Sequence, residues 1–191
     1  MKTALYEIAS KPPLVARHKP SHLECASTLA SRNIGILPIV DEEGCFVAAC
    51  TELDFALTLI GRREKASSFS TEPVVMGQVN DTIVETLGFM LERGFRRIPI
   101  LVGDTYYMAT MAQLLYSVAR VNKPEELLDE VRNYSTPSPV LDYEKATLGD
   151  VAEIIVSTPE RAVLLTSNGR ARAIITERDL VRAYLQVYRE E

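Results

Sequence analysis

Residues 162–180 read AVLLTSNGRARAIITERDL. A short apolar run, Ala162–Leu165, meets a turn at Gly169, and a second run, Ala173–Ile175, ends at Thr176. Two short apolar runs about a glycine-containing turn predict a β-hairpin. Thr176 then opens a Thr-x-x-Asp sequence with Asp179, the spacing of a helix capping box, so a helix should follow the hairpin directly.

The same arrangement occurs twice upstream. Gly44 and Gly103 each stand seven residues before a threonine, Thr51 and Thr110, as Gly169 does before Thr176. Apolar runs flank each glycine: Ile36–Val40 and Phe46–Cys50 in one case, Ile98–Val102 and Tyr106–Ala109 in the other. Ahead of each hairpin lies a second helix-start signal, Ser21 with Glu24, Thr82 with Glu85, and Thr147 with Asp150. Apolar residues then recur at helical spacing: Ile83, Leu87, Met90 and Leu91; Leu148, Val151, Ala152 and Ile155; and a thinner stripe of Leu23, Ala26 and Leu29. The openings also correspond, FSTEPVV at 69–75 with YSTPSPV at 134–140 and, more weakly, ASKPPLV at 9–15. Internal repetition at a fixed period defines the architecture. The reading is three β-α-β-β-α units at 8–64, 69–122 and 134–191, an α/β (α+β) chain of paired small sheets with flanking helices. Between the second and third, residues 123–133 begin with a proline and an acidic turn, which predicts a connecting helix.

Composition narrows the functional classes. The net charge of −5 is the reverse of the basic excess of nucleic-acid binders. No apolar run reaches a membrane span, and residues 1–7 lack the apolar stretch of a signal peptide, so a cytoplasmic protein is expected. The three cysteines, Cys25, Cys45 and Cys50, form no CxxC pair and are too few and odd for a disulfide framework. His18 and His22 are separated by Pro20, which breaks the helix that would align them on a metal, so no metal site is expected. Nucleophile-elbow, P-loop, GxGxxG and HExxH patterns are all missing, so no catalytic residue is assigned and the chain is not read as an enzyme.

ILPIVDEEGCFVAACTELD (36–54), RRIPILVGDTYYMATMAQ (96–113) and the stretch quoted first resemble the CBS repeat, the unit found in cystathionine β-synthase. The third unit is closest to that pattern. The second departs from it, with Gln113 where the others have Asp54 and Asp179, and the third lacks the proline that Pro38 and Pro99 supply at the second strand. The resemblance implies repeats that work in pairs, with clefts for adenosine derivatives such as AMP, ADP, ATP, S-adenosylmethionine or NAD(H), and regulation of a partner protein.

The residues lend this a physical basis. A helix N-terminus presents unsatisfied N–H groups and a partial positive charge to phosphate. A carboxylate accepts from both hydroxyls of a ribose. By resemblance, Thr51 with Asp54 and Thr176 with Asp179 contact the sugar-phosphate, with Thr110 as the second unit's counterpart; Thr-x-x-Asp is equally an ordinary cap, and both roles stay open. Arg96 and Arg97 stand where the family places a basic pair on ligand phosphates, and arginine's fork suits that task. A solvent-facing pair is the other reading. Adenine would lie against Thr71, Val75 and Ile98, and against Thr136 in the third unit, Val75 being core in either reading. The expected site lies between units one and two and combines Thr51, Asp54, Thr71, Val75 and Arg97. Its mirror image, carrying Gln113, would bind weakly or stay empty. If units one and two pair, unit three is left with an open face, which predicts a homodimer through it. The function expected is a regulatory sensor of an adenine nucleotide (AMP, ADP or ATP) acting on a partner protein. The alternative is a ligand-free scaffold.

Overall fold

A computed structural model of the chain describes residues 13–188 except His18 and Asn122, together with Ala4, Glu7 and Ala9. Residue 8, where the first expected unit begins, residues 10–12 of its opening, and His18 therefore lie outside the described residues. Six α-helices and three small sheets are present among them, a mixed α/β fold.

The caps read in the sequence form as hydrogen bonds. Helix α1 (His22–Arg32), α3 (Ile83–Arg93) and α5 (Leu148–Ser157) each start on a complete capping box, at Ser21, Thr82 and Thr147. Helix α2 (Glu52–Thr58), α4 (Met111–Arg120) and α6 (Glu177–Val187) start directly after Thr51, Thr110 and Thr176. Strands β2 (Ile36–Val40) with β3 (Phe46–Thr51), β4 (Arg97–Val102) with β5 (Thr105–Thr110), and β8 (Ala162–Ser167) with β9 (Arg170–Thr176) are the three antiparallel hairpins. Asn168 and Gly169 both take positive φ, 50° and 73°, as a two-residue type I′ hairpin turn requires.

Short strands complete the sheets, and here the units cease to be equivalent. β1 (Ala16–Arg17) joins β2 in parallel, and β7 (Val140–Asp142) joins β8 in the same way. The second sheet takes its third strand, β6 (Thr136–Pro137), from the opening of unit three. In return, the opening of unit two crosses to the third sheet: Thr71 exchanges two backbone hydrogen bonds with Ile174, at 2.8 and 3.0 Å, and Val74 N–H donates to the Arg172 carbonyl. Each sheet edge satisfies the other unit's backbone, so the exchange ties units two and three into one pair.

Packing confirms that pairing and corrects the expected one. Met108, Ala162 and Leu164 are fully buried where the second and third sheets face each other, with Val74, Tyr106 and Ile174 around them. Unit one does not pair with unit two. Its helices α1 and α2 pack instead on α5 and α6 of unit three, in one core that runs from Cys25, Leu29 and Phe55 to Ile155, Leu180 and Tyr184. Phe55 and Tyr184 pack with their rings tilted by 58° and centroids 4.9 Å apart. Unit two has its own core of Ile83, Met90, Ile98, Ile100 and Leu114.

Unit three is therefore covered on both sides, by unit two on its sheet and by unit one on its helices, and the expectation that it carries the open face is overturned. The open face belongs to unit one: Ile36, Phe46 and Val47 are 55%, 68% and 58% exposed. Leu23, assigned to the first helix's apolar stripe, is 40% exposed, and Cys25 takes its place in the core.

Residues 123–133 form two short 3-10 turns, Pro124–Leu128 and Val131–Tyr134, rather than one connecting helix. Asp129 is extended between them, so that its carbonyl accepts from Ile83 N–H while Val131 N–H donates to the Asp81 carbonyl. The segment thus caps the first turn of α3 and buries Val131, which a continuous helix would carry away from those groups.

Candidate ligand cleft between the second and third units

The paired sheets leave a cleft of about 250 Å³ at the N-terminus of α6. Thr176 and Asp179 line it from unit three, and Thr71, Arg93, Arg96 and Arg97 from unit two. A second hollow of about 220 Å³ adjoins it and shares Thr71, Asp179 and Arg182. Asp179 thus stands where the two hollows meet.

Asp179 is buried, and its two oxygens do different work. Oδ2 accepts from the Thr176 N–H at 2.9 Å and the Thr176 hydroxyl at 2.7 Å. Oδ1 accepts from the Thr71 hydroxyl at 3.5 Å and lies 3.6 Å from an Arg182 nitrogen. The carboxylate caps the helix and stands in the lining of the cleft.

The charge is concentrated. Arg93, Arg96, Arg97, Arg178 and Arg182 line the cleft against two carboxylates, Glu52 and Asp179, in a chain whose net charge is −5. Such local reversal of sign draws anions. The helix N-terminus adds its own partial positive charge. The arginines are not equally available. Arg97 is mostly buried; its Nε donates to the Glu160 carbonyl and a terminal nitrogen to Glu177 Oε1 at 2.9 Å. Arg96 is 42% exposed and lies 3.6 Å from Glu52 Oε2. Arg178 Nε donates to Glu52 Oε1 at 3.2 Å. Burial raises the Glu52 carboxyl pKa against the opposing pull of those two arginines.

The other expected residues lie elsewhere. Thr51 and Asp54 form a cap of the same kind on α2, with Asp54 Oδ2 accepting from the Thr51 N–H and hydroxyl, but they stand outside this cleft and Asp54 is exposed. Their neighbour Glu52 is what unit one contributes. Val75 is 43% exposed rather than core, because the unit-two opening crosses to the third sheet at Thr71 and Val74 and leaves Val75 on the outer side. Ile98 is buried in the core of unit two, pressed under Gly77, where a Cβ would meet its side chain at 2.7 Å. Thr110 and Thr136 belong to the mirror-related position. There Gln113 Nε2 donates to the Thr136 hydroxyl, and that hydroxyl donates to Glu160 Oε1 at 2.9 Å. By strand register Arg161 and Ala162 take the place of Arg96 and Arg97, and Arg161 is spent on the carbonyls of Ile155 and Val156 at the end of α5.

Glu52, Arg93, Arg178 and Arg182 were not singled out by sequence reasoning. For Arg178 and Arg182 a signal existed, since they flank Asp179 on the first turns of α6. For Glu52 none did, because the contact joins residues 126 positions apart. Among the described residues no group of three metal-ligating side chains converges.

Residues 131–186 match the family model for the CBS domain. The chain is 28% identical over 171 residues to a 33.4 kDa protein in the ribosomal RNA operon of Thermofilum pendens, covering 83% of this chain and 57% of that protein. It thus spans little more than half the length of that relative. The crystal structure of protein MJ1225 from Methanocaldococcus jannaschii superposes with a TM-score of 0.76 at 19% identity, over 91% of this chain and 67% of that one. CBSX2 from Arabidopsis thaliana, solved in complex with AMP, superposes with a TM-score of 0.55 at 20% identity, over 65% of this chain and 98% of that one.

Proposed function

We propose that the chain, whose residues 131–186 match the CBS domain model, is built of tandem CBS repeats and is a regulatory module that binds an adenine nucleotide in the cleft between units two and three. One observation carries the reading: an acidic chain gathers five arginines around a helix N-terminus, beside the buried carboxylate of Asp179 in the cleft lining. In this reading, phosphate meets the N-terminus of α6, Thr176 and the more exposed arginines, Arg93, Arg96 and Arg182. Asp179 Oδ1 accepts from ribose hydroxyls. AMP in the CBSX2 structure supports the ligand class. The output is regulation of a partner protein, with no catalytic step assigned to any residue. The free thiols and the lack of a helix long and apolar enough to cross a membrane, among the described residues, accord with a cytoplasmic setting.

Titration calorimetry of the chain with AMP, ADP and ATP tests this. Micromolar binding, about −8 kcal/mol, is expected for at least one of them. Absence of heat from all three, with no concentration-dependent rise in melting temperature, rejects the reading.

A specific observation favours an interaction role beside it, the open sheet of unit one. The cross-strand pairs Pro99–Met108 and Leu164–Ile174 are what units two and three bury against each other, and Pro38–Ala49 is the corresponding pair in unit one. A face that pairs with its own equivalent inside the chain suits a two-fold contact with a second copy, which an isologous interface makes self-complementary. The homodimer expected from the repeat count is accordingly proposed through unit one. Light scattering should give a dimer that Val47→Asp converts to a folded monomer; a wild-type monomer at high micromolar concentration excludes it.

A further inference from the structure

We infer that Glu52, contributed by unit one, is a built-in anion that limits the charge of the ligand the cleft accepts, favouring one phosphate over a polyphosphate chain. The inference rests on the nucleotide reading of the cleft and assigns unit one a part in it.

Glu52 is the first residue of α2, yet it is only 4% exposed. A glutamate is almost never this buried unless paired. Its two oxygens reach different units, Oε1 to Arg178 of unit three and Oε2 to Arg96 of unit two. Both arginines line the cleft, as Glu52 does itself. The carboxylate therefore sits at the junction of all three units, on the wall of the anion site. Gly35 leaves the room it needs: a Cβ there would come within 3.2 Å of both Arg96 and the Glu52 carboxylate. The Glu52 N–H donates to the Gly35 carbonyl, which holds the start of α2 at this spot.

A structural role alone accounts poorly for the residue. A buried ion pair contributes weakly to stability compared with well-packed apolar side chains of the same volume. The surroundings of α2 are rich in such side chains, with Phe55 and Ala56 buried one turn along. A carboxylate is nonetheless placed where it bridges two of the five cleft arginines and cancels one of their two charges. Arg97 pairs with the Glu177 carboxylate and donates to the Glu160 backbone carbonyl, and Arg182 lies beside Asp179. The remaining positive charge matches a single phosphate, which carries about −1.5 to −2 at neutral pH. Each further phosphate adds negative charge beside a carboxylate that water screens little.

The test is calorimetry of wild type, Glu52→Gln and Glu52→Met with AMP and ATP, in magnesium-free buffer at fixed ionic strength. Inorganic phosphate and tripolyphosphate serve as adenine-free probes. Wild type should bind AMP more tightly than ATP. Both variants, which remove the charge while keeping the side-chain length, should gain at least tenfold in ATP affinity and change less than threefold for AMP. An unchanged ATP-to-AMP ratio in both variants overturns the inference while leaving the nucleotide reading intact. If wild type binds neither nucleotide, but the variants gain affinity for tripolyphosphate over phosphate, the nucleotide reading fails and the charge limit stands. No gain for any probe overturns the charge limit.

Discussion

The Gly149 N–H donates to the Arg62 carbonyl at 3.0 Å, so the first turn of α5 lies directly on the chain that leaves unit one. A Cβ on Gly149 would stand 2.8 Å from the Arg62 carbonyl and the Gly61 nitrogen. These are backbone atoms, which cannot rotate aside. This contact is one of the places where unit one is fixed to unit three.

Gly149→Ala therefore sets two effects against each other. Helix propensity alone would stabilise α5 by about 1 kcal/mol. Overpacking against backbone typically destabilises by about 1–3 kcal/mol. The close approach should win, and the melting temperature should fall. A rise on thermal unfolding would show that unit one sits looser on unit three than described.

The paired sheets give a second expectation. Leu164 is fully buried between units two and three, so Leu164→Ala should destabilise the chain by about 2–5 kcal/mol in denaturant titration. A loss below about 1 kcal/mol would mean the two sheets do not share this contact.

Asp179 and Asp54 occupy the same place in their repeats, but Asp179 is buried in the cleft lining and Asp54 is exposed outside it. Asp179→Ala should weaken nucleotide binding at least tenfold, about 1.4 kcal/mol, whereas Asp54→Ala should leave it within twofold. Calorimetry that ranks the two the other way would return the site to the first unit.

Glu52 also sets a pH dependence, with Arg96, Arg178 and Glu177 as the charged groups that face it. Burial raises its carboxyl above the usual value, so the folded state holds the proton more tightly than the unfolded one. Its stabilising contribution is then present below the unfolded pKa, near 4.3, and is lost as pH rises through the folded value. Glu52→Gln lacks this loss. The melting temperature of Glu52→Gln relative to wild type should increase from pH 4 towards pH 7; a flat or falling difference would show that the arginines outweigh burial.

Burial pushes the Cys50 thiol up to about 12, with Cys25 and Asp54 adding to the effect, and raises Cys25 as well. Cys45 is exposed. One thiol per chain should react quickly with a thiol reagent at pH 8 and two only on unfolding. Two fast thiols by mass spectrometry would contradict the packing of Cys25 against Cys50.

Much of this molecule was legible one repeat at a time. The three hairpins, the helices after Thr51, Thr110 and Thr176, and the capping boxes at Ser21, Thr82 and Thr147 depend on neighbours within a few residues, and the sequence by itself determined them. It also marked Thr71, Arg96, Thr176 and Asp179, which the fold brings to one cleft. Which unit covers which was decided only by tertiary structure. Every unit offers an apolar sheet side and an apolar helix side, and periodicity says that a side is buried without saying against what. The exchange of Thr71 and Thr136 between sheets paired unit two with unit three, and the helical core from Phe55 to Tyr184 set unit one on unit three's other side. That arrangement placed Asp179 rather than Asp54 in the candidate cleft, left Val75 outside, and brought Glu52 between Arg96 and Arg178, because surface complementarity between distant segments has no local signature.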